Sequence, residues 1–219
     1  KVFGPGMTEM VSALRDLTLR GGKRARAALL VAGYRAANAE ASLEPALDAG
    51  VSLELLHSYF LVHDDWMDRD ETRRGGPSVH AALTRRLKSR EKGEASAILA
   101  GDYAVALATE ALSRVEVEPK RMSRVLGCFA EMQLAAVTGQ QLDLLASAAD
   151  VETVDELKTG SYTVRGPLRM GALMAGAPTR VLNALDRFAL PVGIAYQLRD
   201  DLLSVFGDPK TTGKPFGSD

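Results

Sequence analysis

Two acidic clusters carry the groups best suited to chemistry: His63-Asp64-Asp65-Trp66-Met67-Asp68, and Arg199-Asp200-Asp201 at the end of a second apolar run. On a helix turning about 100° per residue, Asp64 and Asp68 differ by only ~40° and share a face, while Asp65 points elsewhere. Two carboxylates one turn apart on a largely apolar helix repel each other, and burying them uncompensated is costly. A cation is therefore expected beside them. Hard oxygen ligands from one or two carboxylates, with other positions left to water and phosphate oxygens, suit Mg2+. The neighbouring imidazoles, His57 and His63, stand at no zinc spacing with a cysteine. Taken alone, Asp64, Asp65 and Asp68 also fit a solvated acidic helix end. The second cluster, with Gln197 one turn before Asp201, weighs against that, because two acidic pairs each closing an apolar helix are hard to explain as solubilising charge. If the two helices face each other across a bundle, their carboxylates converge on one pocket, as metal sites in bundles do. Basic residues supply the complement: the GGKRAR run at 21–26, Arg73 and Arg74, then Lys158 and Lys214. Carboxylates and arginines together match a polyphosphate held through metal on one side and guanidinium forks on the other.

The elements that must position these groups are helical. Apolar residues recur at three and four positions in nearly every segment, and alternation of period two never lasts. The spacing predicts helices over 8–19, 22–37, 43–70, 77–89, 94–114, 119–147, 153–175 and 178–206, with an interruption at Gly166-Pro167. The expected fold class is all-α, an antiparallel helical bundle around a central cavity.

Composition narrows the function classes. The chain of 219 residues has 27 Lys plus Arg against 28 Asp plus Glu, a net charge of −1, with 46% apolar and 5% aromatic residues, the proportions of a soluble globular protein. Near-neutral charge with no basic stripe interleaved with aromatics excludes a general nucleic-acid binder. The single cysteine, Cys128, sits in an apolar stretch, fitting a small buried hydrophobe and a reducing compartment, so a cytoplasmic protein is expected. No leader-like start and no run of about 18 apolar residues appear, so no membrane span is expected. A first residue other than Met, and a Gly- and Pro-rich end at GKPFGSD, lead to the expectation of one domain over 1–219, incomplete at both ends.

The string GGKRAR, LLH-x5-HDDWMD, RRG, GQQLD, KTGSYT, YQLRDD-x5-GD and TGK resembles, in order and spacing, the trans-type isoprenyl diphosphate synthases, or polyprenyl synthetases. The likeness extends over roughly residues 20 to 219. It implies the isoprenoid synthase type I fold, a homodimer, about three Mg2+ per active site with Mn2+ able to substitute, and 1'-4 condensation of isopentenyl diphosphate with an allylic diphosphate. By the resemblance, Asp64 and Asp68 bind two Mg2+ bridging the allylic diphosphate, and Asp200 leads the ligation of a third with Asp201. Lys23, Arg26, His57 and Arg74 match holders of the isopentenyl diphosphate. Arg73, Lys158 and Lys214 match contacts to the allylic diphosphate. Thr159, Tyr162 and Gln197 match polar groups where positive charge develops, and Gln140 and Asp143 fit the GQxxD element.

Phe60 lies one turn beneath Asp64, with Tyr59 in an adjacent direction. In the family, bulky residues there form the floor that stops chain growth, so a short product is expected, fifteen carbons first, with ten or twenty as competitors. The alternative for both rings is simple packing of a helix interface. Two positions depart from the common pattern: Ser204 stands where many members carry the last Asp of the second motif, and Ala27 replaces the usual Pro. A class I terpene cyclase and a catalytically silent partner subunit are the competing functions.

Overall fold

The computed structural model describes residues 4–145 and 156–206, without the side chains of Lys158, Thr159, Gln197, Asp200, Asp201, Ser204 and Val205. The fold is all-α as expected. Eight α-helices are described: α1 (Pro5–Leu19), α2 (Ala25–Ala37), α3 (Glu44–Met67), α4 (Val79–Leu87), α5 (Arg90–Ser113), α6 (Pro119–Leu144), α7 (Gly166–Met174) and α8 (Thr179–Phe206). A π-helical segment, Glu156–Arg165, runs directly into α7. The interruption expected at Gly166-Pro167 is this change of winding. Proline has no N–H to donate and crowds the carbonyl one turn back, which a wider turn relieves.

Helix ends differ from expectation where the backbone turns left-handed. Gly21 (φ +52°), Gly22 (φ +98°) and Arg24 (φ +50°) delay α2 to Ala25, and Arg69 (φ +61°) stops α3 at Met67. A two-stranded ribbon was not expected at all. Strands β1 (Thr72–Arg73) and β2 (Gly76–Pro77) pair antiparallel, Thr72 opposite Pro77 and Arg73 opposite Gly76. Arg74 (φ +54°) and Gly75 (φ +72°) make the two-residue turn, the left-handed pair a tight hairpin needs.

The chain divides into two compact units. Among the described residues, the first comprises 4–23, 51–113 and 204–206, and the second 24–50, 114–145 and 156–203. In the first, Met10, Ala13, Leu14 and Leu17 give α1 one buried face, which joins Val62, Val79, Leu83, Ala97, Ala100 and Ala104 in a common core. By length and composition α5 is apolar enough to cross a membrane, although Asp102 and Glu110 interrupt it and it holds no run of about 18 apolar residues. Its apolar content is largely small residues, and Ala97, Ala100, Ala104, Ala108 and Leu112 are buried in the protein, as in a core helix. In the second unit α2 and α7 approach until backbones touch. A Cβ on Gly33 would collide with the Leu168 carbonyl, and one on Gly171 with the Leu30 carbonyl. Cys128 is buried on α6 against the Gly166 carbonyl, and burial pushes its thiol up to about 12. It is the small hydrophobe the sequence implies.

Candidate functional site

The last turns of α3 hold the first acidic cluster. The Asp68 N–H donates to the Asp64 carbonyl at 2.9 Å, so the helical turn persists and the two side chains share a face. The Asp64 side chain is 25% exposed, with its Oδ1 buried, and Asp68 is exposed. Asp65 is fully buried. It points inward to Arg73, whose Nε donates to Asp65 Oδ1 at 2.5 Å, and whose Nη2 lies 3.2 Å from Asp70 and 3.7 Å from Asp64. Part of the cation that the acidic run demands is thus supplied by the chain itself. Burial pushes the Asp65 carboxyl up to about 6 against the pull of Arg73. For Arg73, burial works against the charge but Asp65, Asp64 and Asp70 outweigh it, and its pKa is raised. Asp65 Oδ2 is buried and accepts no hydrogen bond among the described residues.

The β1–β2 hairpin also meets the loop after α1. Nη1 of Arg74 is 3.4 Å from the Arg20 carbonyl, and a Cβ on Gly22 would stand 3.1 Å from the Arg74 guanidinium. Glycine is required at 22 both by this approach and by its positive φ. The structure therefore brings Arg74 beside the Gly21-Gly22 loop that leads into Lys23, two groups matched above to one diphosphate. The exposed Lys23 completes that loop. Arg20, which the sequence reading missed, donates from Nη1 to the carbonyls of Arg73 (2.9 Å) and Pro77 (3.0 Å). Its only signal in the sequence is its place as the residue capping α1 immediately before Gly21.

Higher on α3, His57 is half-buried two turns before Asp64 and on the same face. Tyr59 and Phe60 are in ring contact with centroids 4.8 Å apart, and Tyr59 also meets the edge of His63 at 4.8 Å. Tyr59 packs on the core of its unit, with its hydroxyl pKa raised by burial and then by Asp102. His63 bonds the Ile98 carbonyl at 3.0 Å and so turns away from the acidic face.

In the second unit Arg26 lies 4.4 Å above the ring of Tyr162 and donates to Thr163 Oγ1 at 2.8 Å. Tyr162 and Thr163 are both buried. Two predicted site residues thus meet here, and a buried Arg26 Nε has no hydrogen-bond partner among the described residues. Gln140 is half-buried and Asp143 exposed on the last turns of α6. Lys158, Thr159, Gln197, Asp200, Asp201 and Lys214 lie outside the described side chains.

The donor set on α3 fits Mg2+. Asp64 and Asp68 offer hard oxygens, and among the described residues no group of three or more His, Cys, Asp or Glu side chains is assembled that could hold a metal ion by itself. A cation that keeps several waters and takes substrate oxygens suits such a half-open pair.

Comparison with known proteins shows the family. The polyprenyl synthetase family model matches residues 8–219. Geranylgeranyl diphosphate synthase of Methanosarcina mazei is 36% identical over 216 residues, 96% of this chain and 63% of that protein. (2E,6E)-farnesyl diphosphate synthase of Mycobacterium tuberculosis is 37% identical over 203 residues, 90% of this chain and 53% of that protein. The crystal structure of geranylgeranyl pyrophosphate synthase from Corynebacterium glutamicum, complexed with isoprenyl diphosphate and magnesium, matches with a TM-score of 0.92 and 38% identity, covering 99% of this chain and 65% of that one. The chain spans less than two thirds of the length of these relatives. With the family model matched from α1 onward and the acidic helix end and basic hairpin in place, the chain belongs to the polyprenyl synthetases, the family of trans-isoprenyl diphosphate synthases.

Proposed function

We propose that the protein condenses isopentenyl diphosphate with an allylic diphosphate, head to tail, to make a short-chain trans-isoprenyl diphosphate and release diphosphate. The observation that carries this reading is the α3 end, where the Asp64 and Asp68 face stands next to the arginine hairpin. Asp64 and Asp68 would hold Mg2+, which when bound stabilises charge on the departing diphosphate. Arg74, Lys23 and His57 bind the diphosphate of the isopentenyl substrate through charge-assisted hydrogen bonds. Arg73, already fixed by Asp65 and Asp70, adds a rigid positive charge beside the leaving group. In the reaction the allylic C–O bond breaks with its electron pair leaving on diphosphate, the isopentenyl double bond attacks the allylic carbon, and a proton passes to the released diphosphate to restore a double bond. No protein nucleophile is needed.

In the same proposal Asp200 and Asp201 complete the metal ligands, with Lys158 and Lys214 on the allylic diphosphate. Arg26 serves the isopentenyl diphosphate, while Thr159, Tyr162 and Gln197 face the developing positive charge. A homodimer in a reducing, cytoplasmic setting completes it, the buried lone Cys128 being compatible with that compartment. Names of relatives include both farnesyl and geranylgeranyl synthases. The Tyr59–Phe60 pair beneath Asp64 favours the shorter, fifteen-carbon product.

Incubating purified protein with dimethylallyl and isopentenyl diphosphates and Mg2+, followed by chromatography, tests the reading. A longer allylic diphosphate is expected, and Asp64→Ala is expected to slow its formation by at least ~100-fold. Near-normal turnover by that variant, or a hydrocarbon formed without isopentenyl diphosphate, would reject it.

A further inference from the structure

We propose that Arg20 is a positioning residue: by bridging both strands of the Thr72–Pro77 hairpin, it holds Arg74 where that side chain can meet the diphosphate of isopentenyl diphosphate. The inference rests on the function proposed above and assigns a role to a residue outside every motif considered so far. A two-residue ribbon is too short to hold its own shape in water. Its register must be fixed from outside, and Arg20 supplies the fixing. One guanidinium nitrogen spans the Arg73 carbonyl on β1 (2.9 Å) and the Pro77 carbonyl on β2 (3.0 Å). Gly76 lies flat against it, and a Cβ there would come 2.5 Å from the guanidinium carbon. At the hairpin base the Ser78 N–H donates to the Glu71 carbonyl at 3.0 Å, a second tie below the one that Arg20 makes.

The two arginines of the hairpin do not depend on this bridge equally. Arg73 is also gripped by Asp65 and Asp70, and Arg74 stands in the turn between the two strands that Arg20 bridges, its Nη1 3.4 Å from the Arg20 carbonyl. Loss of the Arg20 side chain leaves the Asp65 and Asp70 grip on Arg73 in place and loosens the turn that carries Arg74, and so acts on the isopentenyl substrate.

The test uses Arg20→Met, the conservative Arg20→Lys, and Gly76→Ala, which displaces the guanidinium while keeping Arg20 in place. Arg20→Met is expected to raise KM for isopentenyl diphosphate about tenfold, as lost charge-assisted positioning would, with a smaller change in kcat and in KM for the allylic substrate. Gly76→Ala is expected to move it in the same direction, and Arg20→Lys to recover part of the loss because an ammonium can still reach one carbonyl. In an Arg74→Met background, Arg20→Met should add nothing further. Hydrogen exchange of the peptide spanning 72–78 should rise in Arg20→Met irrespective of turnover. Unchanged exchange, or an unchanged KM in an active protein, overturns the role of Arg20 alone. If exchange rises in Arg20→Met while the wild-type protein makes no longer diphosphate, the functional reading is overturned and the bridge stands as architecture. Equal losses for both substrates, additive with Arg74→Met, would mark Arg20 as merely structural and contradict the proposal.

Discussion

The Asp65–Arg73 pair decides how the acidic helix end can exist at all. Asp64 and Asp68 can face solvent and ligand because the third carboxylate of the run is taken inside and neutralised by an arginine eight residues later. Removing one partner of a buried pair leaves the other uncompensated, at about 3–5 kcal/mol. Arg73→Met is accordingly expected to lower the unfolding free energy in urea by roughly that amount. The Asp65→Asn, Arg73→Met double variant should recover much of the loss; a double variant no more stable than Arg73→Met would contradict a buried ion pair. The shared face of Asp64 and Asp68 is plain from their spacing, because it needs only the helical period. The inward turn of Asp65 is not, because its partner comes from beyond a turn that no periodicity announces. Nor is the stacking of Arg26 on Tyr162, which joins residues more than a hundred positions apart.

At the level of elements, glycine marks where helices touch. Gly171 on α7 sits against the backbone of α2, so Gly171→Ala must push two helices apart and is expected to cost ~1–3 kcal/mol or more. Gly127, exposed on α6 with open space where its Cβ would be, is the matched control. Gly127→Ala should gain roughly 0.5–1 kcal/mol from helix propensity. Urea midpoints measured on both variants check the pair, and equal effects would refute the close approach. The helices themselves were readable from apolar spacing, since each repeats its pattern over several turns. The π-helical winding was not, because one short segment cannot distinguish a wider turn from the ordinary one by pattern. The hairpin escaped because two-residue strands carry no alternation to read. Its Gly75 and Gly76 registered only as a helix boundary.

For the whole molecule, product length and metal-dependent binding are the properties to test. Phe60 and Tyr59 lie just beneath the acidic end of α3, where their rings touch each other and Tyr59 packs on the core of its unit. The Tyr59→Ala, Phe60→Ala double variant is expected to extend the product beyond fifteen carbons on chromatography; unchanged length would leave the rings as packing only. The family could be read from the order and spacing of motifs along the chain, and the all-α class from periodicity. The compact unit to which each motif belongs could not, because it depends on long-range packing that separates neighbours such as Lys23 and Arg26. The claim underlying the proposed chemistry is that the Asp64 and Asp68 face holds a divalent cation through which an allylic diphosphate is bound. Calorimetric titration of an unreactive allylic thiodiphosphate into the protein, with Mg2+ and then with excess EDTA, tests it directly. Binding that requires Mg2+ in the wild type and is lost in Asp64→Ala and Asp68→Ala is predicted; equal affinity with and without Mg2+, or in all three proteins, would contradict it.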